Sequence, residues 1–299
     1  MLLHRLRRET RDMFEVVLVP GLAAILPWKL CFALFRWIAR HNVLYREETE
    51  RALVQAQALG WVSDVHAWTS ARRLTTLIDH ADQYLALTRG DGWLRRHVRA
   101  EGEWPAQNGA SIFCTFHWGA GMWALRHAAA AGVHAHMFVA EPTTAAFQGR
   151  TVLRRYIVAR LNSIARSLKR STLDASATMR HALNALRADE ALMAVVDVPA
   201  DQVAASAPIT LLGLHTRVPR GLFRLAVDKQ LPVTVFLTGF DLADGQRFVR
   251  LSTLGVYQDV DLLIRDVFRH LELAIVENPP AWHFWGEAPR FFRDNAVAS

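Results

Sequence analysis

The sequence predicts an α/β fold, in which a mixed central sheet is flanked by helices and preceded by a helical region. Short apolar runs alternate with longer helical stretches from residue 110 onward, which is typical of an α/β sandwich. Residues 47–90 have helical apolar spacing and a polar face instead. Residues 16–35 form one apolar run with a single charge, Lys29. A chain of 299 residues is long enough to bury a core of its own.

The composition is apolar-rich and charge-poor, yet basic. Hydrophobic residues make up 52% of the chain and charged residues 21%, which excludes disorder and favours contact with a membrane surface. The formal net charge is +7, and the 35 cationic residues include only three Lys. Arginine is the better ligand for phosphate and carboxylate groups. Cys31 and Cys114 have neither disulfide-framework nor zinc-site spacing, so we expect a reducing compartment.

Residues 1–45 are predicted to form a membrane-associated anchor. A straight helix over residues 16–35 would be just long enough to cross a bilayer, but Pro20 and Pro27 interrupt it. Arginines flank the run on both sides, so the positive-inside rule gives no orientation. This pattern favours a kinked segment lying in the membrane interface, with Trp28 and Trp37 at the level of the headgroups. The alternative is a buried helical pair in a soluble core.

Residues 46–299 are predicted to form a single α/β domain with a helical N-terminal part. Its predicted strands lie at 111–116, 133–140, 192–196, 233–239 and 248–253. Its predicted helices lie at 119–131, 150–169, 173–188, 221–229 and 262–277. Ligands of α/β sheets bind where strands end and helices begin, so the candidate site residues are sought at these junctions.

The sharpest local motif is FHWGAGMW, residues 116–123, at a predicted strand-to-helix junction. His117 is placed to act as a general base toward a hydroxyl group. Gly119 and Gly121 permit close backbone approach, with helix N–H groups facing a developing oxyanion. The alternative for His117 is a core histidine that caps a strand. Motifs of metal, nucleotide and covalent-nucleophile sites do not occur, so we predict neither a metal nor a cofactor.

A second feature is the basic stretch from Arg150 to Arg170, which has seven cations and no acidic residue. Arg160, Arg166 and Lys169 belong to it. Such a helix could receive an acidic carrier protein, the phosphates of a nucleotide-bearing thioester, or anionic headgroups. A solvated helix face is the alternative. Nucleic acid is not expected as a partner, because no recognition motif accompanies the basic stretch.

A third feature is Asp197, which follows the apolar strand predicted at 192–196. A carboxylate in that position is either functional or an acceptor that anchors a loop. The remaining histidines lack metal-site spacing, and we interpret them as structural or surface groups.

In this order, the segments resemble the bacterial lipid A late acyltransferases, the lauroyl/myristoyl acyltransferase family, over most of residues 14–292. Residues 116–123 correspond to a His-x4-acid motif of the family, and AEP at 140–142 to a turn that carries arginine there. AVVDV at 194–198 corresponds to a strand ending in Asp-Gln. The segments 209–226 and PPAWHFWGEAPRFF at 279–292 resemble later parts of the family pattern.

This resemblance implies a glycerolipid-acyltransferase-like fold and a function at the cytoplasmic face of the bacterial inner membrane. The expected reaction transfers an acyl chain from an acyl-carrier-protein or acyl-CoA thioester to a hydroxyl or amine of a lipid or small-molecule acceptor. In the family, the histidine deprotonates the acceptor, and neither metal nor cofactor takes part. The residues expected to bind substrate are Gly119, Gly121, Met122, Arg160, Arg166, Lys169 and Arg220.

The sequence departs from the family pattern at the acid of the motif, where it has Met122. Three explanations are open. A carboxylate from elsewhere supports His117, and Glu141 and Asp197 are the candidates. Alternatively, His117 acts unassisted on an easier acceptor, such as an amine. In the third explanation, catalysis is lost and the protein is a carrier-protein or lipid-binding partner in a biosynthetic complex.

Overall fold

A seven-stranded mixed sheet forms the centre of the fold. The computed structural model describes residues 2–106, 109–140, 147, 149–175 and 180–292. The strands are β1 (Val98–Glu101), β2 (Ile112–Thr115), β3 (Ala135–Val139), β4 (Leu173–Asp174), β5 (Ala191–Val195), β6 (Ser206–Leu211), β7 (Leu214–Pro219), β8 (Val233–Phe240) and β9 (Arg247–Gly255). Their order in the sheet is β1-β9-β8-β2-β5-β3-β4, and β6 and β7 form a separate hairpin.

The helices lie before and between these strands. They are α1 (Leu2–Asp12), α2 (Val19–Ile25), α3 (Trp28–Arg40), α4 (Arg46–Ala58), α5 (Val65–Thr88), α6 (Asp91–His97), α7 (Met122–Ala130), α8 (Thr151–Leu168), α9 (Arg180–Arg187), α10 (Gly221–Asp228), α11 (Val260–Glu277) and α12 (Ala288–Phe291). A π-helical turn, Met13–Leu18, connects α1 to α2. Short 3₁₀ turns occupy Pro279–Ala281 and His283–Glu287.

The predicted α/β class and mixed sheet are confirmed. Strands β8 and β9 pair antiparallel, whereas all other neighbours in the sheet pair in parallel. Side chains alternate across the central strand β2: Ile112 and Cys114 join the core on one face, with α11, and Phe113 joins the core on the other, with α7 and α8. Both faces are therefore covered, which explains the continuous apolar character of the central strands.

The start of two predicted helices was wrong, and one hairpin was not predicted. Of the helix predicted at 173–188, Leu173 and Asp174 instead form β4 and extend the sheet beside β3, and α9 covers Arg180–Arg187. Residues 209–219, for which no strands were predicted, belong to the β6–β7 hairpin. Its alternating burial places every second side chain of β6 against α11 and its neighbours. The helix predicted from residue 119 begins at Met122.

The N-terminal helices pack on the rest of the chain. Of the two prolines predicted to interrupt the run, Pro27 separates α2 from α3, whereas Pro20 lies in the first turn of α2. Buried side chains of α3 such as Cys31 and Phe35 contact α5. Trp28 is buried, with its ring 3.9 Å from the guanidinium of Arg247, so it does not have the exposed position we expected. Trp37 is 58% exposed. Within the described residues, no helix combines the length and apolar character needed to cross a membrane.

Candidate active site

Parallel strands β2 and β5 bring His117 and Asp197 together. The two strands are neighbours, and their register pairs Thr115 with Val195. Each candidate side chain follows its strand by two residues, so the same register places them side by side. The Nδ1 atom of His117 lies 3.0 Å from Oδ1 of Asp197. Of the two carboxylates proposed to replace the missing acid, Asp197 therefore contacts the imidazole, and Glu141 lies outside the described residues.

The carboxylate of Asp197 is fully buried and is held by several donors. The backbone N–H of His117 donates to both oxygens, at 2.8 and 3.0 Å. The indole N–H of Trp282 donates to Oδ2 at 3.0 Å. Burial of a carboxylate is costly unless it is hydrogen-bonded, and these donors offset that cost. They also fix the carboxylate in one orientation toward the imidazole.

This contact determines which nitrogen of His117 faces the reaction space. Because the carboxylate accepts a hydrogen bond, Nδ1 carries the proton of the neutral ring and Nε2 presents a lone pair. The side chain of His117 is 37% exposed, whereas Asp197 is inaccessible. The ring of Phe284 packs against the imidazole, with 4.3 Å between the ring centres. His117 is therefore oriented from two sides and is accessible from the cavity.

The C-terminal segment holds the loop after β2. The backbone N–H of His283 donates to the carbonyl oxygen of His117 at 2.7 Å, and the ring atom Nε2 contacts the carbonyl oxygen of Gly119 at 2.7 Å. Burial lowers the pKa of His283, so its ring is neutral and Nε2–H donates. The carbonyl oxygen of Ala281 accepts from the N–H of Gly119 at 3.0 Å. The segment around Trp282 was assigned to the family pattern, but its contacts with the site were not predicted.

Gly119 and Gly121 are required by their packing against β8. Gly119 has φ +73°, and a Cβ atom there would collide with the backbone oxygen of Thr238. A Cβ atom at Gly121 would collide with the hydroxyl of the same threonine. The N–H of Gly119 is bonded to Ala281 and cannot stabilise an oxyanion, which corrects that part of the prediction. The first turn of α7, which begins beside Gly121, offers N–H groups without helical acceptors.

A cavity of about 330 Å³ opens beside His117. Its walls are mainly apolar, with polar groups concentrated on the α5 and α8 side. The apolar lining consists of Phe116, Trp118, Met122, Leu125, Met137, Ile157, Val195 and Phe236. Met122, at the position of the family acid, is buried and contributes a thioether to this wall. The cavity therefore suits an apolar chain with one reactive polar group.

The polar wall of the cavity contains Asp79, His80 and Arg160. The Nη2 group of Arg160 donates to both carboxylate oxygens of Asp79, at 2.8 Å each. Burial alone would raise the pKa of Asp79, but the guanidinium outweighs it and lowers the pKa to about 2. Burial lowers the pKa of His80 to about 4. This wall consists of a compensated ion pair and a neutral imidazole. His80 was not singled out from the sequence, since nothing in the spacing of α5 distinguishes it.

The predicted basic site is divided by the structure. Of the predicted cations, Arg160 lines the cavity, whereas Arg166, Lys169 and Arg220 are absent from its walls. Arg166 and Lys169 are exposed, and Arg220 forms an ion pair with Asp261. Helix α8 positions Arg160 and Arg166 six residues apart, which is about 240° around the helix axis, so they point in different directions.

The helix is also less uniformly charged in space than in sequence. Acidic residues from other elements pair with three of its flanking or inward cations; the pairs are Arg150 with Asp12, Arg160 with Asp79 and Arg170 with Glu190. Arg154, Arg155, Arg166 and Lys169 form its exposed cationic face. The described residues contain no cluster of three or more His, Cys, Asp or Glu side chains able to hold a metal ion.

Compared with known proteins, the chain matches no family model and no curated sequence. The resemblance to lipid A late acyltransferases therefore stays a prediction based on the motifs quoted above.

Proposed function

We propose that the protein is an acyltransferase that moves an acyl chain from a thioester to a hydroxyl or amine of a lipid or small-molecule acceptor, with His117 as general base. The observation that carries this proposal is the contact between Nδ1 of His117 and the buried carboxylate of Asp197, beside an apolar cavity. That contact provides the orienting acid that the sequence lacks at Met122. It favours the first of the three explanations for the missing acid.

The proposed reaction begins when the acceptor O–H or N–H donates to Nε2 of His117. This nitrogen takes the proton as the acceptor oxygen or nitrogen attacks the thioester carbonyl carbon. Asp197 stabilises the imidazolium that forms. The tetrahedral intermediate then collapses, the carbon–sulfur bond breaks, and Nε2–H protonates the departing thiolate. The products are the acylated acceptor and a free thiol.

The oxyanion of the tetrahedral intermediate would face the first turn of α7. Its N–H groups lie at the positive end of the helix, and Gly121 and Met122 belong to the cavity lining. In the described part of the chain, the hydroxyls that line the cavity are those of Thr115 and Thr238, and neither is hydrogen-bonded to His117. Direct attack by the acceptor is therefore favoured over an acyl-enzyme intermediate.

The donor's acidic or phosphate groups would bind outside the cavity. The exposed face of α8 with Arg154, Arg155, Arg166 and Lys169 offers charges suitable for an acyl carrier protein or for coenzyme A. Arg160 is neutralised by Asp79, so it is not counted in this surface. We keep both donor classes in the proposal because each carries phosphate on the same pantetheine arm.

Membrane association at the cytoplasmic face of the bacterial inner membrane is part of the proposal. An apolar groove of about 560 Å³ lies in the N-terminal region; its lining is Arg11, Phe14, Val19, Trp37, Ile38, His41, Val43 and Leu44. Phe14 is 48% exposed, and Val43 is 72% exposed. Exposed apolar side chains beside cations support attachment to an anionic lipid surface. No role of residues 1–45 as a separate unit is required, because α2 and α3 pack against α5.

The proposal is tested by thiol release and product formation from dodecanoyl-CoA and dodecanoyl acyl carrier protein, with a panel of hydroxyl and amine acceptors. The parent should form acylated product, and His117→Ala should reduce its rate by about 10²- to 10⁴-fold. His270→Ala, on α11 and outside the cavity lining, is the matched control and should retain the parent rate. If His117→Ala forms product as fast as the parent, the assignment of the general base is wrong.

A binding protein without catalysis remains the second candidate, and the exposed cationic face of α8 is the observation that favours it. It predicts salt-sensitive binding of the carrier protein with no thioester turnover for any acceptor. Detection of acylated product removes this candidate.

A further inference from the structure

His80 lies on the wall of the cavity that the proposed reaction leaves without a role. Its Nδ1 atom is 2.7 Å from the hydroxyl oxygen of Tyr156. The same hydroxyl oxygen accepts a hydrogen bond from Nη1 of Arg160 at 3.3 Å. Because Arg160 only donates, the hydroxyl proton of Tyr156 is directed to His80, and Nδ1 is the acceptor.

The acceptor role of Nδ1 determines the tautomer of the imidazole. In the neutral ring the proton is then on Nε2, which is a donor. Burial keeps the ring neutral near pH 7, because it lowers the pKa of His80 to about 4. The ring is stacked on Tyr45, with 5.6 Å between ring centres, and packs edge-on against Tyr156 at 5.2 Å. The donor is therefore fixed in direction.

This donor is free to meet a substrate. Among the residues that the structure describes, no side chain or backbone group accepts a hydrogen bond from Nε2 of His80, and the atom is not one of the buried unpartnered polar atoms. His80 lines the same cavity as His117. The neighbouring Arg160 and Asp79 neutralise each other, so the wall presents a neutral donor without net charge.

We propose that Nε2–H of His80 is the hydrogen-bond donor through which the cavity holds an uncharged oxygen of its substrate, such as that of an ester, an amide or a hydroxyl group. An anionic headgroup would have to be desolvated against a charge-balanced wall, which is unfavourable. A neutral oxygen exchanges one water hydrogen bond for the bond to His80. This inference rests on the proposed function in one respect, namely that the substrate binds in this cavity.

The test is equilibrium binding, by calorimetry, of three soluble amphiphiles with matched ten-carbon chains. Decanoyl-N-methylglucamide carries a neutral amide and hydroxyls, and decanoate and decyl phosphate are anionic. Met137→Trp, which fills the cavity wall, defines the part of the signal that belongs to the cavity. For the binding that Met137→Trp removes, the parent should have a higher affinity for the neutral compound than for either anion.

Variants then isolate the donor. His80→Ala should weaken cavity-specific binding of the neutral amphiphile by about 5- to 10-fold, which corresponds to one lost hydrogen bond. His80→Gln, whose amide can donate, should retain most of the affinity. Tyr156→Phe, which removes the proton that fixes the tautomer, should give an intermediate loss. His270→Ala is the control for loss of a histidine elsewhere and should bind like the parent.

Several results would overturn the inference. They are equal or tighter binding of the anions by the parent, unchanged binding in both His80→Ala and Tyr156→Phe, and the absence of any binding sensitive to Met137→Trp. Thioester turnover is measured in parallel, so that the two proposals fail separately. Binding that depends on His80 without turnover in the parent contradicts the acyltransferase and leaves the donor role supported. Turnover that depends on His117, with no effect of His80 on binding, supports the acyltransferase and contradicts the donor role of His80.

Discussion

At the scale of single residues, the two nitrogens of His117 have different environments. Nδ1 faces a carboxylate that is also bonded to the backbone of His117 and to Trp282, and Nε2 faces the cavity. A base oriented in this way does not spend free energy on finding its reactive rotamer during the reaction. The position of the family acid is occupied by Met122, which packs with apolar neighbours such as Trp123 and Leu125. In this chain the carboxylate that contacts His117 therefore comes from the end of β5, and residue 122 is part of an apolar wall.

Met122→Glu tests this exchange. A glutamate at a position that is only 7% exposed would lie in an apolar wall, and Nδ1 of His117 already has a carboxylate partner. We expect the free energy of unfolding to fall by about 2–4 kcal/mol, with no gain in turnover. Met122→Leu, which conserves volume, should change stability by less than about 1.5 kcal/mol. Urea unfolding and thiol release measure both quantities. A higher rate in Met122→Glu than in both the parent and Met122→Leu would contradict this account.

Sequence reasoning identified the two members of the dyad separately but could not pair them. His117 and Asp197 were both selected because each follows an apolar strand. Their contact depends on the neighbouring, parallel arrangement of β2 and β5, which are 80 residues apart in their register. Strand order comes from long-range pairing, which local patterns do not contain. For the same reason, local patterns did not predict that Trp282 and His283 would reach the site.

At the scale of elements, helix α5 shows why polar patterning can mislead. The sequence predicted a polar-faced helix here, and the helix is present, but many of its polar side chains are buried. Three of them have a partner on another element: Arg73 donates to the backbone of Ala39, Gln83 bonds with Ser163 of α8, and Asp82 pairs with Arg247 of β9. The polar residues of α5 thus connect the N-terminal helices, α8 and the sheet rather than facing solvent.

The α5–α8 contact predicts a pH dependence of stability. Burial lowers the pKa of His80 to about 4, below its value of about 6.5 in the unfolded chain. A depressed folded pKa means that the stabilisation is complete above pH 6.5 and is lost as the pH falls toward 4. The charged or titratable groups around it are Tyr45, Tyr156, Asp79, Arg160, Glu48 and His283. His80 should therefore account for up to about 3 kcal/mol of acid destabilisation.

His80→Gln is the variant that isolates the contribution of His80 to acid destabilisation. Urea unfolding of the parent and of His80→Gln at pH 7, 5 and 4 gives the measurement. The parent should lose more free energy of unfolding than the variant between pH 6.5 and 4, whatever their difference at pH 7. Equal losses in the two proteins would show that His80 is not held neutral by the fold.

The elements that the sequence did not predict correctly are those whose structure depends on pairing with another strand. Leu173 and Asp174 are a two-residue edge strand that exists because β3 lies beside it, and its apolar spacing continues smoothly into α9 in the sequence. The β6–β7 hairpin turns at Leu212 and Gly213, both with positive φ. Its alternating pattern, with Gly213 at the turn, is a signal that could have identified the hairpin from sequence.

At the scale of the whole molecule, the N-terminal region separates its charges. Its three carboxylates all face protein: Glu9 accepts from the backbone of Thr151 and Val152, Asp12 pairs with Arg150, and Glu15 accepts from the N–H of Tyr45. Cations such as Arg5, Arg7 and Arg40 are exposed. The exposed surface of the N-terminal region is therefore cationic, which is consistent with the proposed binding to an anionic surface.

The proposed membrane attachment predicts sedimentation of the protein with vesicles of phosphatidylcholine and phosphatidylglycerol, more than with phosphatidylcholine alone. Trp37→Glu should lower the partition coefficient between vesicles and water by about tenfold, because it removes a large apolar contact and adds a negative charge. Leu273→Glu, a change at another exposed apolar residue on α11, is the matched control. Equal partitioning of the two variants would contradict a specific role of the N-terminal surface.

The general architecture was predictable, whereas the arrangement of the site was not. Alternation of apolar runs and helical stretches identified the class of fold and most of the strands of the sheet. The order β1-β9-β8-β2-β5-β3-β4 and the reversed direction of β9 and β1 relative to the other strands are properties of the assembled chain. The N-terminal run was predicted as a kinked interfacial segment, with a buried helical pair as the alternative, and its pattern could not separate burial against α5 from contact with lipid.

Asp197 is proposed to orient His117 and to stabilise its imidazolium, and Asp197→Asn isolates that role. The asparagine keeps the size of the side chain but removes the charge that stabilises the imidazolium. With a donor and acceptor used by the parent, kcat should fall by about 10²- to 10⁴-fold, while KM changes little. The urea unfolding midpoint should also fall, because the amide NH2 group would face an N–H donor of His117 or Trp282 in a buried position. A kcat within about twofold of the parent value, in a variant that remains folded, would contradict the account.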